Sequence, residues 1–410
     1  MVMMCYAFPP LLSPGALRSV AFARHLRELG WDVTILTARN AKSPWVKRLE
    51  PNTEGFLIVH TLEWSLERVV EVLNGVLSRL LRMVGYDLKF NYFRDVLCIP
   101  DCQMAWFTTW PGAKRCRGAD VLYATCAPFS SAVSASIIKR LTRVPVVVDF
   151  RDAWSLNPHM RHTRLHNAIL ARLERAVVRT VDRVILNTPG ATGLYRQKYA
   201  EAASKFECIP NGYDQLTPAR RDVRVDSAGE RDFTIVHVGT FYGRRQPDQL
   251  LDALVSIGDP RVRFVQVGKM DRSRLPKYDQ AVRLEIIPEV PHSRALEIMQ
   301  SASLLYLKQA HEPGVDHYIA VAAKTYEYLA TGLPILADCP PGDNADLVAR
   351  YASVPYVVTS GAAHDLAKAV RTALAADVKV TLSAEFVETY SRATLARRLS
   401  DVLAEVCRSR

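Results

Sequence analysis

Short apolar runs alternate with helical patterns along the whole chain, and this alternation is the strongest signal in the sequence. After an apolar opening at residues 2–8, the first half contains WDVTILTA, FLIVHTL, VLYATCAP, VPVVVDFRDAW and DRVILNTP. The second half contains FTIVHVGT, VRFVQVG, LEIIPEV, SLLYLKQ, PILAD and YVVT. Runs without polar interruption are typical of strands covered on both faces, and strand–helix alternation predicts parallel sheets. The pattern therefore predicts an α/β protein with two doubly wound, Rossmann-like domains.

The joint between the two series is predicted at IPNGYD, residues 209–214, where Pro-Asn-Gly is followed by a polar stretch. A chain of 410 residues is also longer than one typical domain. We find no internal sequence repeat.

Residues 64–84, WSLERVVEVLNGVLSRLLRMV, form the clearest amphipathic helix. Apolar side chains recur at the i, i+3, i+4 spacing, while Arg79 and Arg82 fall on the other side. With Trp64 at one end, the helix could lie in a membrane interface. The alternative is a helix that faces the core of the first domain.

Charge is distributed unevenly between the two halves. Residues 1–210 contain 28 Lys and Arg against 17 Asp and Glu, and residues 211–410 contain 25 of each. The excess of positive charge in the first half favours anionic partners such as phosphates or acidic lipid headgroups. We see no interleaving of basic and aromatic residues of the kind that binds nucleic acid, so a nucleic-acid partner is not predicted.

The N-terminus is interpreted as a buried strand and not as a signal peptide, and no apolar run is long enough to span a membrane. The eight cysteines are scattered, and Cys98 and Cys102 have no second pair at zinc spacing. These features predict a cytoplasmic protein with reduced thiols and without a bound metal.

Loops at the carboxyl ends of parallel strands are the expected ligand sites. Gly15, in FPPLLSPGALR, precedes a helix and would let a phosphate approach the helix N–H groups, although it could be a simple turn. Neither dinucleotide nor P-loop glycine motifs occur, which argues against a dinucleotide oxidoreductase and a P-loop nucleotidase.

The segment VVVDFRDAW places Asp149, Arg151 and Asp152 at the end of a buried strand. These residues could form a structural ion pair, or they could hold sugar hydroxyls or phosphate oxygens at a catalytic site.

In the second half, Gly239 and Thr240 end a strand and are followed by Arg244 and Arg245. Two arginines beside a glycine turn suit a diphosphate, whose charge grows as it leaves, although a solvated charge pair is the alternative. No Asp-x-Asp triplet occurs, so a metal carrier for a nucleotide diphosphate is not indicated.

Further along, AAKTYEYLATGLPILADCP predicts a helix that ends at Gly332, with Lys324 and Glu327 near its start. These motifs, in this order, resemble the retaining glycosyltransferases of family 4, which have the GT-B fold of two domains facing across a cleft. The resemblance covers almost the whole chain, including FVETYSRATLARRLSDVLAEV, which is similar to the closing helices that return to the first domain. It implies an acceptor-binding domain at 1–211, a nucleotide-sugar domain at 212–385 and a returning helix at 386–410.

The resemblance also implies roles for individual residues. Glu327 would bind the ribose hydroxyls, and Lys324 would lie near the phosphates. Arg244 or Arg245, and Gly15, would contact the diphosphate. The main chain from Ile287 to Val290 would contact the base.

Two positions depart from the family's pattern. Ile319 stands where the first of two paired glutamates is expected, so Glu312 or Asp316 is considered as its substitute. Arg151 stands at or near a position where many relatives have a histidine beside the transferred sugar, so it would hold charge and not shuttle a proton.

The sequence therefore predicts a metal-independent, retaining glycosyltransferase that uses a nucleotide diphosphate sugar and no other cofactor. The basic first half and the helix at 64–84 favour a lipid-linked acceptor saccharide, as in surface polysaccharide or O-antigen synthesis, at the inner face of the membrane. Three alternatives are a transferase for a soluble small molecule, a sugar-nucleotide epimerase, and a non-catalytic or nucleic-acid-binding protein.

Overall fold

The computed structural model describes residues 1–9, 11–12, 16–39, 47–48, 55–64, 66–86, 97–104, 106, 108–157, 163–214, 232–311, 314–377 and 380–409. The chain divides into two compact units. The first comprises Met1–Pro210 together with Arg392–Arg410, and the second comprises Asn211–Ser391.

The first unit is built on a parallel seven-stranded sheet with the strand order β5-β3-β1-β6-β7-β8-β9. These strands are β1 (Val2–Met4), β3 (Thr34–Ala38), β5 (Leu57–Thr61), β6 (Leu122–Cys126), β7 (Val146–Phe150), β8 (Arg183–Leu186) and β9 (Phe206–Cys208). A separate antiparallel pair joins β2 (Leu11–Leu12) and β4 (Lys47–Arg48). The apolar runs found in the sequence become strands of this sheet, buried in its centre at β6 and β7 and partly exposed at the edge strand β5.

The helices of this unit are α1 (Ala16–Glu28), α2 (Leu66–Met83), α3 (Thr109–Cys116), α4 (Ser130–Thr142), α5 (Arg164–Thr180), α6 (Pro189–Lys198) and α13 (Arg392–Arg408), with a 3-10 helix at Ala200–Lys205. The last helix packs against α1 because it has a regular apolar stripe. Leu395, Leu399, Leu403 and Val406 repeat at helical spacing and are buried in the core of the unit.

The second unit contains a parallel six-stranded sheet in the order β12-β11-β10-β13-β14-β15. Its strands are β10 (Phe233–Val238), β11 (Val262–Val267), β12 (Arg283–Ile287), β13 (Leu304–Lys308), β14 (Ile335–Asp338) and β15 (Pro355–Val358). Its helices are α7 (Asp248–Ile257), α8 (His292–Gln300), α9 (Ala323–Thr331), α10 (Asp343–Tyr351), α11 (Ala363–Ala375) and α12 (Ala384–Tyr390), with a 3-10 helix at Arg272–Arg274.

The segment that returns to the first unit starts later than the predicted residue 386. Phe386 lies on α12, is completely buried, and stacks on Tyr213 and Tyr390 with ring centroids 5.2 Å apart in each case. Residues up to Ser391 therefore belong to the second unit, and the part of the chain that belongs to the first unit begins again at Arg392.

One expectation about the cysteines is wrong. Cys98 and Cys102 form a disulfide, so the thiols are not all reduced. The disulfide packs with Val70 and Leu66 of α2 in a small apolar cluster. Among the described residues, no helix combines the length and the hydropathy that crossing a membrane requires.

Candidate donor site

The candidate site of the second unit lies where β10 ends at Gly239. This residue has φ of +133°, outside the range that other residues adopt easily, and its N–H donates to the Val267 carbonyl at 2.8 Å. A Cβ at position 239 would collide with the Lys324 amine and lie 3.2 Å from its Cε. Glycine at this position therefore leaves room for the lysine amine against the backbone.

The start of α9 brings Lys324 to this turn. The Tyr328 hydroxyl accepts a hydrogen bond of 2.8 Å from the Val238 N–H, which fixes α9 to the end of β10. At the start of the helix, the Asn344 amide oxygen accepts from the Thr325 hydroxyl at 2.7 Å and from the Ala322 N–H at 3.3 Å. No described side chain caps the helix at Ala322, so the positive end of the helix dipole also points into the site.

Lys324 occupies an unusual environment for a lysine. Its amine lies 2.9 Å from Nε2 of His237. Burial, followed by the nearby charge of Arg245, lowers the pKa of Lys324 to about 7, although Glu327 acts in the opposite direction. The environment of the amine therefore disfavours its charged form.

His237 belongs to a buried polar chain inside the sheet. Its Nδ1 lies 2.7 Å from the Gln266 amide oxygen, and the Gln266 amide nitrogen donates to the Gly239 carbonyl at 2.7 Å. This second bond fixes the orientation of the amide, so Nδ1 must carry the proton and Nε2 must be the acceptor for Lys324. Burial, followed by the charge of Lys324, lowers the pKa of His237 well below its ordinary value, so the ring is neutral.

The other residues predicted to bind the nucleotide-sugar donor lie around the same strand ends. Glu327 is one helical turn from Lys324 and lies 3.5 Å from the His292 ring. Arg245 donates a 2.7 Å hydrogen bond to the Tyr242 hydroxyl, whereas Arg244 is exposed. The charge of Arg245 is one cause of the lowered pKa of Lys324, which favours Arg245 over Arg244 as the second cation.

The remaining predicted contacts of the second unit are backbone positions. Thr240, next to Gly239, is half-buried. Ile287 ends β12, and its carbonyl accepts from the Gly268 N–H at 2.9 Å. Val290 packs partly against the core. A contact between this main chain and a base stays a prediction.

In the first unit, Asp149 is held in a buried ion pair. Its carboxylate accepts from Nε of Arg18 at 2.9 Å and from the Tyr123 hydroxyl at 2.5 Å, and it is completely inaccessible to solvent. Arg18 also donates to the carbonyls of Ile209, at 2.8 Å, and Pro210. This geometry agrees with the structural alternative for Asp149, and its predicted catalytic role has no accessible oxygen to support it.

Arg151 and Asp152 differ from Asp149 because they are not buried in the sheet. The Arg151 guanidinium donates to the carbonyls of Cys126 and Ala127, at 2.8 Å each, and this holds the loop after β7 against the end of β6. Asp152 is exposed to solvent. Both residues remain candidates for a catalytic site.

The remaining predicted positions have different outcomes. Gly15 and Glu312 lie outside the described residues. Ile319, at the position of the expected first glutamate, is 6% exposed and packs as an apolar side chain. Asp316 is exposed on the loop before α9. Within the described ranges, no three His, Cys, Asp or Glu side chains converge as metal ligands, and metal independence stays a prediction.

Comparison with known proteins identifies the first unit. Residues 16–212 match the family model for the glycosyl transferase 4-like domain. The predicted resemblance to family 4 is confirmed by this match. Among curated protein sequences, none shows significant similarity to the chain.

Solved structures of GT-B glycosyltransferases are similar to this chain in fold. Anabaena HepE in complex with UDP matches with a TM-score of 0.66 at 14% identity, covering 98% of this chain and 99% of HepE. Sucrose-phosphate synthase from Thermosynechococcus elongatus matches with a TM-score of 0.69 at 14% identity, covering 100% and 99%. WaaG, a glycosyltransferase involved in lipopolysaccharide biosynthesis, matches with a TM-score of 0.57 at 15% identity, covering 100% and 97%. The predicted GT-B fold class is confirmed.

Sequence reasoning missed His237 and Gln266. A signal was nonetheless present, because each is a polar residue at the fifth position of an apolar six-residue strand. The two strands pair so that these residues are direct neighbours in the sheet. Two polar side chains at paired positions of buried parallel strands need hydrogen-bond partners and can bond to each other. The pairing therefore predicts a polar network inside the sheet at this position.

Proposed function

We propose that this protein transfers a sugar from UDP-sugar to an acceptor saccharide, with retention of the anomeric configuration. The observation that carries the proposal is the Lys324 amine, which lies on the Gly239 turn at the uncapped start of α9. The charge of Arg245 lowers the pKa of this amine, and Arg245 is therefore proposed as the second cation of the site. Cations at a helix start suit a diphosphate, both in the bound donor and as its charge grows on departure.

The choice of UDP is supported by HepE, whose structures contain UDP, UDP with glucose, and UDP-glucose. Glu327 is proposed to bind the ribose hydroxyls, and Gly239, Thr240, Lys324 and Arg245 the diphosphate. Retention and metal independence are carried by the family resemblance, in which the departing diphosphate helps to deprotonate the acceptor hydroxyl.

The first experiment is a thermal-shift screen against nucleoside diphosphates and UDP-sugars. A ligand that binds only the folded protein at 100 times its Kd stabilises it by about 2.7 kcal/mol. UDP is expected to raise Tm and the other nucleoside diphosphates to raise it less. No shift with any nucleoside diphosphate would contradict the proposal.

Product analysis then separates transfer from epimerisation. With the UDP-sugar that binds best, consumption should depend on an added acceptor, and proton NMR of the product should show the anomeric configuration of the donor. Conversion of the UDP-sugar without an acceptor would instead identify a sugar-nucleotide epimerase. An inverted product would contradict retention alone.

The acceptor is proposed to be lipid-linked, because α2 exposes an apolar stripe. At 100° per residue, five apolar side chains fall within an arc of about 80°. Their exposed fractions are 49% for Val69, 64% for Val72, 52% for Val76, 54% for Leu80 and 79% for Met83. The adjoining side of the helix, with Val70 and Leu66, packs against the disulfide cluster.

Positive charge indicates which surface this stripe would contact. Arg79 and Arg82 are exposed on the same helix, and the first half of the chain carries the whole formal excess of positive charge. An apolar stripe beside cations suits the interface of an anionic lipid bilayer. The relative WaaG, by its description, acts in lipopolysaccharide biosynthesis, which agrees with such an acceptor.

Vesicle sedimentation tests this surface. Replacing both Val76 and Leu80 by serine should weaken binding to vesicles that contain anionic phospholipid by at least ~30-fold, because each apolar side chain contributes about 1–2 kcal/mol when buried. Ser78→Ala, on the polar side, is the matched control and should bind normally. Equal binding by the double variant would refute the membrane role, and transfer to a soluble acceptor without vesicles would favour a soluble substrate.

A further inference from the structure

The polar chain inside the second unit links a backbone carbonyl to the candidate phosphate site. It runs from the Gly239 carbonyl through Gln266 and His237 to the Lys324 amine, with contacts of 2.7, 2.7 and 2.9 Å. His237 is 1% exposed and Gln266 is completely buried. Each polar group in a buried chain of this kind needs a hydrogen-bond partner, so the position of the Lys324 amine depends on His237 and Gln266.

We propose that His237 is a positioning residue for donor binding: its Nε2 holds the Lys324 amine over Gly239, and Lys324 takes up a proton when a diphosphate binds. The inference rests on the proposed function, since it places the diphosphate of the donor at Lys324. The proton comes from solvent and completes the ammonium group, while His237 stays neutral throughout.

The geometry explains why histidine suits this task. Its ring is stacked on Phe241, with centroids 4.0 Å apart and planes inclined by 16°, so the ring has a fixed orientation. Gln266 holds Nδ1 in its protonated form, which leaves the Nε2 lone pair directed at the amine. An imidazolium would direct a proton at the amine instead, and it would repel a charged lysine.

The groups that face Lys324 from other elements support uptake of charge. His237 faces it from β10 and is neutral, and Arg245, from the turn after β10, disfavours charge on the amine. Glu327, on the same helix, favours charge but lies 3.5 Å from His292 of α8. Burial and Arg245 together lower the pKa of Lys324 to about 7. A diphosphate would reverse the balance by adding negative charge beside the amine.

Isothermal titration with UDP, in buffers of different ionisation enthalpy, measures proton uptake directly. At pH 8, about nine-tenths of unliganded Lys324 is neutral for a pKa of about 7, so binding should take up almost one proton. Lys324→Arg, which stays charged, is the matched control and reports protons exchanged by UDP itself. The wild type should exceed this control by about 0.9 proton at pH 8 and by almost none at pH 5.5.

A second comparison tests His237 itself. Glutamine at 237 can place an oxygen near the position of Nε2, whereas asparagine reaches only the position of Nδ1 and phenylalanine retains only the stacking. His237→Gln should bind UDP within about threefold of the wild type, and His237→Asn and His237→Phe should bind about tenfold more weakly. Melting temperatures separate this effect from loss of fold.

The results distinguish the inference from the function on which it rests. If UDP fails to bind the wild type, the proposed donor site is wrong. If UDP binds but the wild type and Lys324→Arg exchange equal numbers of protons at pH 8, proton uptake is refuted and the donor site stands. If the folded His237 variants bind UDP equally well, the positioning role is refuted.

Discussion

Gly239→Ala is the substitution that examines the donor site at its tightest point. The added methyl group would occupy the space of the Lys324 amine and lie 3.2 Å from its Cε, so the amine must shift from its place beside His237. The backbone at 239, with φ of +133°, also becomes strained. The variant therefore displaces the cation without altering any charged residue.

The expected loss of affinity for UDP can be estimated from the hydrogen bond between Lys324 and the diphosphate that the displacement removes. A hydrogen bond to a charged group contributes about 1.5–3 kcal/mol, which corresponds to a rise of about 10- to 150-fold in the Kd for UDP. Backbone strain of about 1–3 kcal/mol should lower the free energy of unfolding separately. Titration calorimetry gives the first quantity and urea unfolding the second.

Gly243→Ala, in the loop that follows β10, is the matched control. Gly243 also has positive φ, at +54°, but a Cβ there meets nothing within 4 Å. It should lose about 1–2 kcal/mol of stability from the backbone alone and retain the affinity for UDP. Equal losses of UDP affinity in both variants would show that the effect comes from backbone strain and not from displacement of the Lys324 amine.

A double-mutant cycle with Lys324→Met decides whether Gly239 acts through the lysine. If it does, Gly239→Ala should weaken UDP binding very little once the amine is absent. Additive losses in the double variant would refute the reasoning, because the methyl group would then act on something other than Lys324.

Three further predictions concern other parts of the molecule. Glu174→Gln breaks the buried pair with Lys198 and should lower the free energy of unfolding by about 3 kcal/mol in urea denaturation. Burial raises the pKa of Glu174, but the charge of Lys198 and the hydrogen bonds outweigh this effect and lower the pKa below 4.5. The pair therefore stabilises the folded protein at pH above 4.5. This stabilisation should be lost as the pH falls through the pKa of Glu174 in the folded state. Phe386→Ala, at a completely buried ring, should destabilise the second unit by about 3–5 kcal/mol; a loss under 1 kcal/mol would show that this ring is not part of the core. Glu327→Gln should raise the KM for the UDP-sugar about tenfold with little change in kcat if it binds the ribose, and an unchanged KM would exclude that role.

The fold was largely predictable because it follows from a repeated local pattern. Runs such as VPVVV and PILA are apolar throughout, and a strand of this kind is stable only inside a parallel sheet covered on both faces. The apolar stripe of α13 was equally visible, since Leu395, Leu399 and Leu403 repeat at helical spacing. The start of the returning segment was misplaced because both Phe386 and Leu395 belong to apolar helices, and spacing does not say which core a helix joins.

The candidate site was predictable only in part, because its function depends on pairs distant in the chain. Lys324 could be found at a helix start, but its contact with His237, 87 residues earlier, could not. Asp149 stands at a strand end like a catalytic carboxylate, and only the fold reveals that Arg18, 131 residues earlier, neutralises it. Charge at a strand end identifies a candidate, and the distant partner determines whether the candidate is available to a ligand.

The central claim is that the second unit binds a nucleoside diphosphate through Lys324. Titration of the wild type and of Lys324→Met with UDP at pH 6.5, where most of the lysine is charged, tests it most directly. We expect one UDP per chain, bound at least about tenfold more weakly by the variant. No binding of UDP to the wild type, or equal affinity in a folded variant, would contradict the claim.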